Sequence, residues 1–228
     1  MKRYIKNMKA LSEEDMKKLF NSKVCVVGCG GLGGYIIEML ARIGVRYITA
    51  IDGDVFDETN LNRQLISHTE NIGKSKVEEA MKRMKVVNPD VIVTPINEIL
   101  DENNAMTLLK DHDVIVDALD NIKSRKVLNM FSAKLNIPMV HGAIAGFYGQ
   151  VSTIYPEDNT FNYIYPDNED LNKGIEIELG NPSFIPPLVA AIEVSEVIKI
   201  LTNKGDLLRN KILLIDLLNN NFDIVEFK

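Results

Sequence analysis

Cysteine is scarce in this chain: Cys25 and Cys29 are the two among 228 residues. Two thiols cannot build a disulfide framework or a four-thiolate zinc site, so a reducing cytoplasm is the expected location. The three histidines, His68, His112 and His141, stand far apart and offer no metal-ligand spacing. No apolar run approaches the roughly 18 residues that a membrane span requires. The basic start, Met1 to Lys6, lacks the apolar stretch of a signal peptide. With 26 Lys and Arg against 32 Asp and Glu, the net charge is −6, and no basic block stands ready to neutralise phosphates of a nucleic acid. A 46% hydrophobic and 25% charged composition excludes disorder and collagen-like repeats.

What is present is an alternation of elements. Ser12 to Asp15 forms a capping-box pattern that opens a short helix through Phe20. Lys23–Val27 is a short apolar run ending at glycines, the pattern of a strand buried on both faces. A helix is expected from Gly34 to Ile43, a strand at Tyr47–Ile51, and a helix from Lys74 to Val87. Then follow a strand at Val91–Pro95, a helix at Glu102–Lys110, a strand at Asp113–Ala118 and a helix from Asn121 to Leu135. Strands alternating with helices predict an α/β, Rossmann-like, doubly wound and mostly parallel sheet in a single domain, residues 1–228. The pattern changes after Gly142. Gly146–Tyr155 reads as an antiparallel addition, residues 156–184 as an irregular crossover, and the helix from Pro186 to about Asn203 as core packing. Glu193, Glu196 and Lys199 mark one narrow face of that helix. Two antiparallel C-terminal strands, Ile212–Leu217 and Phe222–Phe227, close the chain.

Gly28-Cys29-Gly30-Gly31-Leu32-Gly33 is a G-x-G-x-x-G loop between the first strand and its helix. The first glycine permits the tight turn, the second lets backbone approach a phosphate, and the third lets helix pack on strand. Asp52 ends the second strand, where a carboxylate accepts ribose hydroxyls. The loop by itself does not choose among NAD, FAD and ATP, and alone it favours a dehydrogenase.

The following residues redirect that reading. Asp54 to Gln64 is a loop dense in Asp, Asn, Arg and Gln, Lys74 and Lys76 head a helix, and the fourth strand ends in Asp117-Ala118-Leu119-Asp120-Asn121. Ligands bind at the carboxyl ends of parallel strands. One site there can gather the Arg63 fork, the Lys76 ammonium and the Asp120 carboxylate, the equipment for a triphosphate and Mg²⁺. A hydride-transfer site needs no triphosphate clamp.

These blocks, together with Gly34, Asn60-Leu61-Asn62-Arg63-Gln64, Gly73 to Val77 and Asn88-Pro89, resemble the ubiquitin-activating-enzyme-like ThiF/MoeB/HesA family over roughly residues 12–217. The resemblance implies an enzyme that binds Mg-ATP and adenylates the C-terminal carboxylate of a small Gly-Gly-ending sulfur-carrier protein or a peptide. By position, Asp52 holds the ribose and Gly30 admits the phosphates, while Asn60, Arg63 and Lys76 grip the triphosphate. Gln64 supports that loop, Asp120 binds Mg²⁺, and Gly28, Gly31, Gly33, Asp54 and Asn121 complete the nucleotide site. A homodimer is implied too, in which the arm of residues 1–21 reaches a neighbouring site. Here Arg3-Tyr4-Ile5-Lys6-Asn7 has Lys at the second basic place, which keeps the charge and loses the bidentate fork. Many relatives hold zinc between two Cys-x-x-Cys pairs; the first would fall near Phe161 to Tyr165, where this chain has no cysteine, so no zinc is expected. No cysteine follows Cys29, so a thioester cannot form on this chain. The expectation is an enzyme that stops at the acyl-adenylate. The competing readings are a NAD-linked oxidoreductase and a non-catalytic ATP-binding subunit.

Overall fold

The structure is a computed structural model and describes residues 2–166 and 176–227. After a 3₁₀ turn at Lys2–Asn7, the elements run α1 (Glu13–Asn21), β1 (Lys23–Val27), α2 (Gly31–Ile43), β2 (Tyr47–Ile51), α3 (Lys76–Val87), β3 (Ile92–Ile96), α4 (Ala105–Leu109), β4 (Val114–Asp117) and α5 (Ile122–Leu135). Next come β5 (Met139–Ala145), β6 (Tyr148–Ile154), α6 (Thr160–Ile164), α7 (Glu176–Leu179), α8 (Ile185–Thr202), β7 (Lys211–Asp216) and β8 (Asn221–Glu226). Among the described residues these strands form one sheet of order β3-β2-β1-β4-β5-β6-β7-β8. The five strands from β3 to β5 pair in parallel and the rest antiparallel.

Alternation across the sheet explains why helices cover both faces. Val24 and Val26 of β1 turn to one layer, with α1, α2, α3 and α8. Cys25 and Val27 turn to the other, with α4, α5 and α6. Cys25 is therefore core, as its strand context indicates. The expected α1 cap is present: the Asp15 N–H donates to Ser12 Oγ at 3.1 Å, and the Ser12 N–H donates to the Asp15 carboxylate.

Several boundaries differ from expectation for local reasons. Helix α2 starts at Gly31, not Gly34, because its glycines accept helical angles as readily as loop angles. Helix α3 starts at Lys76, because Lys74 accepts the Phe56 N–H and Ser75 bridges to Val55. Helix α4 starts at Ala105, because Asp101 takes the N–H groups of Asn103 and Asn104 into a turn. The segment expected to be irregular, 156–184, contains the short helices α6 and α7; residues 167–175 lie outside the described residues. The charged face of α8 is inside the protein: Glu193 and Glu196 are buried. Glu196 accepts from Thr153 Oγ1 at 2.5 Å and from the Leu208 N–H at 2.8 Å, tying α8 to β6.

The N-terminal arm is pinned at the end of the domain away from the glycine loop. Tyr4 is buried, Arg3 donates to the Val87 carbonyl and the Asn88 side chain, and Asn7 donates to the Ile43 carbonyl. Ile43 is the last residue of α2, whose first residue follows the loop. Thirteen helical residues separate those ends by about 20 Å.

Candidate nucleotide and carboxylate site

A cavity of about 990 Å³ opens at the carboxyl ends of β1, β2 and β4 and runs across β5 to β8. Its floor depends on the glycine loop. Gly28 has φ +95°, and a Cβ there would meet the Ala118 carbonyl oxygen at 2.4 Å. A Cβ on Gly33 would lie 1.8 Å from the Gly28 carbonyl oxygen, so this glycine permits helix to meet strand. Gly30 sits at the N-cap of α2 without a side-chain cap, leaving first-turn amides available to an anion.

Asp52 braces this loop: one carboxylate oxygen accepts the Cys29 N–H at 2.7 Å and the other the Asp54 N–H at 2.8 Å. Asp52 also lines the cavity, where a carboxylate suits ribose hydroxyls. Cys29 is buried, and burial followed by the Asp52 charge pushes its thiol well above the usual range. It is a packing thiol rather than a nucleophile.

The cavity brings together Gly28, Gly30, Gly31, Asp52, Asp54, Arg63, Gln64, Lys76, Asp120 and Asn121. Arg63 Nε lies 3.9 Å from the point a Gly31 Cβ would occupy, and its guanidinium donates to the Thr59 carbonyl at 3.0 Å and Asn62 Oδ1 at 2.8 Å. Lys76 is buried at the start of α3 and pairs with Asp54 at 2.9 Å. Asp54 is the more exposed partner, so an arriving phosphate can compete for the ammonium. Gln64 is buried against Gly30; among the described residues its Oε1 has no hydrogen-bond partner. Asp120 is exposed in the cavity, and Asn121 caps α5 by accepting the Ser124 N–H at 2.8 Å.

Two expected residues stand outside the cavity lining. Gly33 acts through packing, as described. Asn60 folds the loop: its Oδ1 accepts the Asp57 N–H at 3.0 Å, and its carbonyl takes the N–H groups of Arg63 and Gln64. It positions the clamp rather than facing the cavity.

The donor set fits a nucleoside triphosphate, with two cations, helix-start amides and a ribose-type carboxylate around one space. It also fits Mg²⁺, which is held by one or two carboxylates plus substrate phosphates. Among the described residues no group of three His, Cys, Asp or Glu could hold a metal by itself. No helix among them is long and apolar enough to cross a membrane.

Sequence reading missed the other wall. Arg125, Tyr148, Gln150, Tyr165, Leu214 and Asp223 line the cavity beyond Asp120. Behind them, Asp117 Oδ2 accepts from His141 Nδ1 at 2.7 Å, both fully buried. Burial works against the Asp117 charge, but nearby Arg125 and the His141 hydrogen bond hold it below the usual carboxylate range. Burial pushes His141 below its ordinary value, against the pull of Asp117. The one signal available was Arg125 lying four residues after Asn121, one helical turn past the cap and so directed back at the strand ends.

The chain is 32% identical over 222 residues to the "SAMP-activating enzyme E1" of Haloferax volcanii, covering 97% of this chain and 82% of that protein. It is 28% identical to the molybdopterin-synthase adenylyltransferase of Escherichia coli, covering 92% and 84% respectively. It is 32% identical to a probable adenylyltransferase/sulfurtransferase MoeZ of Mycobacterium tuberculosis, but spans 57% of that longer protein. Among solved structures, Escherichia coli MccB crystallised with MccA superposes with a TM-score of 0.81 at 21% identity, covering 99% of this chain and 71% of that one. That likeness shows a shared fold. The ThiF family model matches residues 1–228, and the chain belongs to the ThiF family.

Proposed function

We propose that this protein is an ATP-dependent adenylyltransferase acting on the C-terminal carboxylate of a small ubiquitin-like sulfur-carrier protein or a peptide. The observation that carries the reading is one cavity whose nucleotide end holds the glycine loop, Asp52, Arg63, Lys76 and Asp120, and which continues over β5 to β8. A nucleotide and an extended chain terminus can meet there end to end.

The reaction joins a carboxylate oxygen to the α-phosphorus and breaks the bond to the β-phosphate oxygen, releasing pyrophosphate. Arg63 and Lys76 neutralise charge on the triphosphate and on the departing pyrophosphate. Asp52 and the α2 amides fix the nucleoside and phosphates against the incoming carboxylate, so alignment supplies much of the acceleration. Asp120 would hold Mg²⁺, which supplies further charge neutralisation on the phosphates. No protein nucleophile is needed. Cys29 is buried, and no cysteine follows it among these residues, so they offer no thiol for a thioester.

The test is exchange of labelled pyrophosphate into ATP, driven by a Gly-Gly-ending carrier or by a peptide with a free C-terminus. Exchange that Asp120→Ala abolishes supports the reading; ATP binding without exchange against every such substrate argues for a non-catalytic subunit. We place the reaction in the cytoplasm and the chain in a homodimer. Lys6 is exposed on an arm about 20 Å from its own glycine loop, so any cavity it serves is that of a second copy. Lys6→Ala kinetics equal to the parent's would remove that role.

A further inference from the structure

Behind Asp120 lies a ring of polar contacts that the nucleotide reading does not use. Arg125 is buried on the first turn of α5. One end of its guanidinium donates to the Leu119 carbonyl and the other to the Tyr165 hydroxyl oxygen. The Leu119 N–H donates to Asp117 Oδ1 at 3.1 Å. Leu119 immediately precedes Asp120, and both its N–H and its carbonyl are tethered to buried side chains.

Tyr165 is held in turn. Its ring faces the Arg125 guanidinium at 5.6 Å and meets the His141 ring edge-on at 5.5 Å. Its hydroxyl oxygen lies 3.3 Å from Gln150 Nε2 and 3.4 Å from His141 Nε2. His141 Nδ1 returns the chain to Asp117 Oδ2 at 2.7 Å. Contacts therefore run from Asp117 through Leu119, Arg125, Tyr165 and His141 back to Asp117, each of its two oxygens taking one end.

Asp120 itself is exposed, and Asn121 Nδ2 stands 3.5 Å from its Oδ1. So long a contact does little to place a carboxylate. Its position is set mainly by the peptide before it. A cation held by one protein carboxylate and phosphates is sensitive to that position, because Mg²⁺ demands near-ideal geometry.

We propose that Arg125 and Tyr165 are positioning residues that fix the backbone ahead of Asp120 and so set how well the chain holds the divalent cation of Mg-ATP. This rests on the adenylation reading above. The planar fork matters, since a lysine cannot span the Leu119 carbonyl and the Tyr165 hydroxyl with the same geometry.

The test is calorimetric titration of ATP into the full chain, first with EDTA and then at a series of Mg²⁺ concentrations, with thermal melting alongside. Tyr165→Phe keeps the ring and removes the hydroxyl; Arg125→Lys keeps the charge and removes the fork. Metal-free ATP affinity should stay within about twofold of the parent in both, since the hydrogen bonds described for Arg125 and Tyr165 go to Leu119, to each other, to Gln150 and to His141 rather than to the groups assigned to the triphosphate or ribose. The Mg²⁺ concentration at half of the full enhancement should rise about tenfold, the scale on which outer partners tune metal ligands. An unchanged Mg²⁺ midpoint with a lowered melting temperature would make the ring purely structural and overturn the proposal. Equal loss of metal-free and Mg²⁺-dependent binding would overturn it too, by placing the effect on the whole cavity. A parent chain that binds no ATP under either condition would overturn the adenylation reading itself, and only that outcome does so.

Discussion

The two halves of the sheet build chemistry in different ways. In the parallel half, three of the groups assigned to the nucleotide lie within a few residues of a strand's carboxyl end: the glycine loop after β1, Asp52 after β2 and Asp120 after β4, while Arg63 and Lys76 come from the long connection that leads into α3. The opposite wall of the cavity is assembled from Gln150 and Leu214 of the antiparallel strands β6 and β7, with Arg125 of α5 and Tyr165 after α6, so its members come from separate elements. Parallel strands all deliver their ends to one edge, so short contiguous motifs suffice there. An antiparallel wall is built from alternate residues on one face, and no linear motif records it. The contrast predicts that substitutions in the first half change the reaction abruptly, and that those in the second act by degrees.

The sharpest test is Asp120→Ala. Loss of the carboxylate assigned to the cation should lower pyrophosphate exchange by about 10²- to 10³-fold, the scale of removing a group that stabilises transition-state charge. Residual exchange within tenfold of the parent would break the contrast at its strongest point. Gly33→Ala comes next. A methyl placed 1.8 Å from the Gly28 carbonyl oxygen forces helix and strand apart. It should cost about 1–3 kcal/mol or more, read as a lower melting temperature together with lost ATP binding. Arg63→Lys should cost less, about tenfold in exchange, because charge is retained while the fork is lost; a match to the parent would show that Arg63 acts as a point charge.

The same contrast explains what was legible from sequence. The doubly wound, mostly parallel sheet with its antiparallel C-terminal strands follows from periodicity, and contiguous motifs name ten of the residues that line the cavity. Asn60, expected at the triphosphate, closes its own loop and stands outside the cavity lining, a distinction that a motif does not show. The Asp117, His141, Gln150 and Tyr165 set was invisible because 48 residues and four intervening elements separate its ends in the chain. His141 offers no metal-ligand spacing in the sequence, and the hydrogen bonds that make it a link depend on which face of β5 meets α6. Glu193 had one overlooked signal. An acid on a helix that is otherwise apolar on every side has few exposed positions to occupy.

Glu193 also supplies the mildest test. It is fully buried, its carboxyl is pressed against Gly142, and among the described residues neither oxygen has a hydrogen-bond partner. Burial, then the Asp117 charge, pushes its carboxyl well above the usual range, with Arg125 opposing. The folded state therefore keeps a proton that the unfolded chain releases above a pH of about 4.3. Stability from this group is fully present below that pH and is lost as pH rises toward the folded value, by about 1.4 kcal/mol per pH unit for one proton. His141 has the opposite sense, since its folded value is depressed: its contribution is present above about 6.5 and lost as pH falls. Asp117 likewise loses its contribution on the acid side, below about 3.9. Above neutrality those two groups are level, and the buried thiols Cys25 and Cys29, which lose stability above about pH 8.5, do so in parent and variant alike, so the difference between the two profiles isolates Glu193. Glu193→Gln keeps the shape and cannot ionise, so denaturant melts from pH 7 to 9 should show the variant gaining on the parent as pH rises. Parallel pH profiles over that window would mean that Glu193 is already ionised in the folded protein at neutral pH.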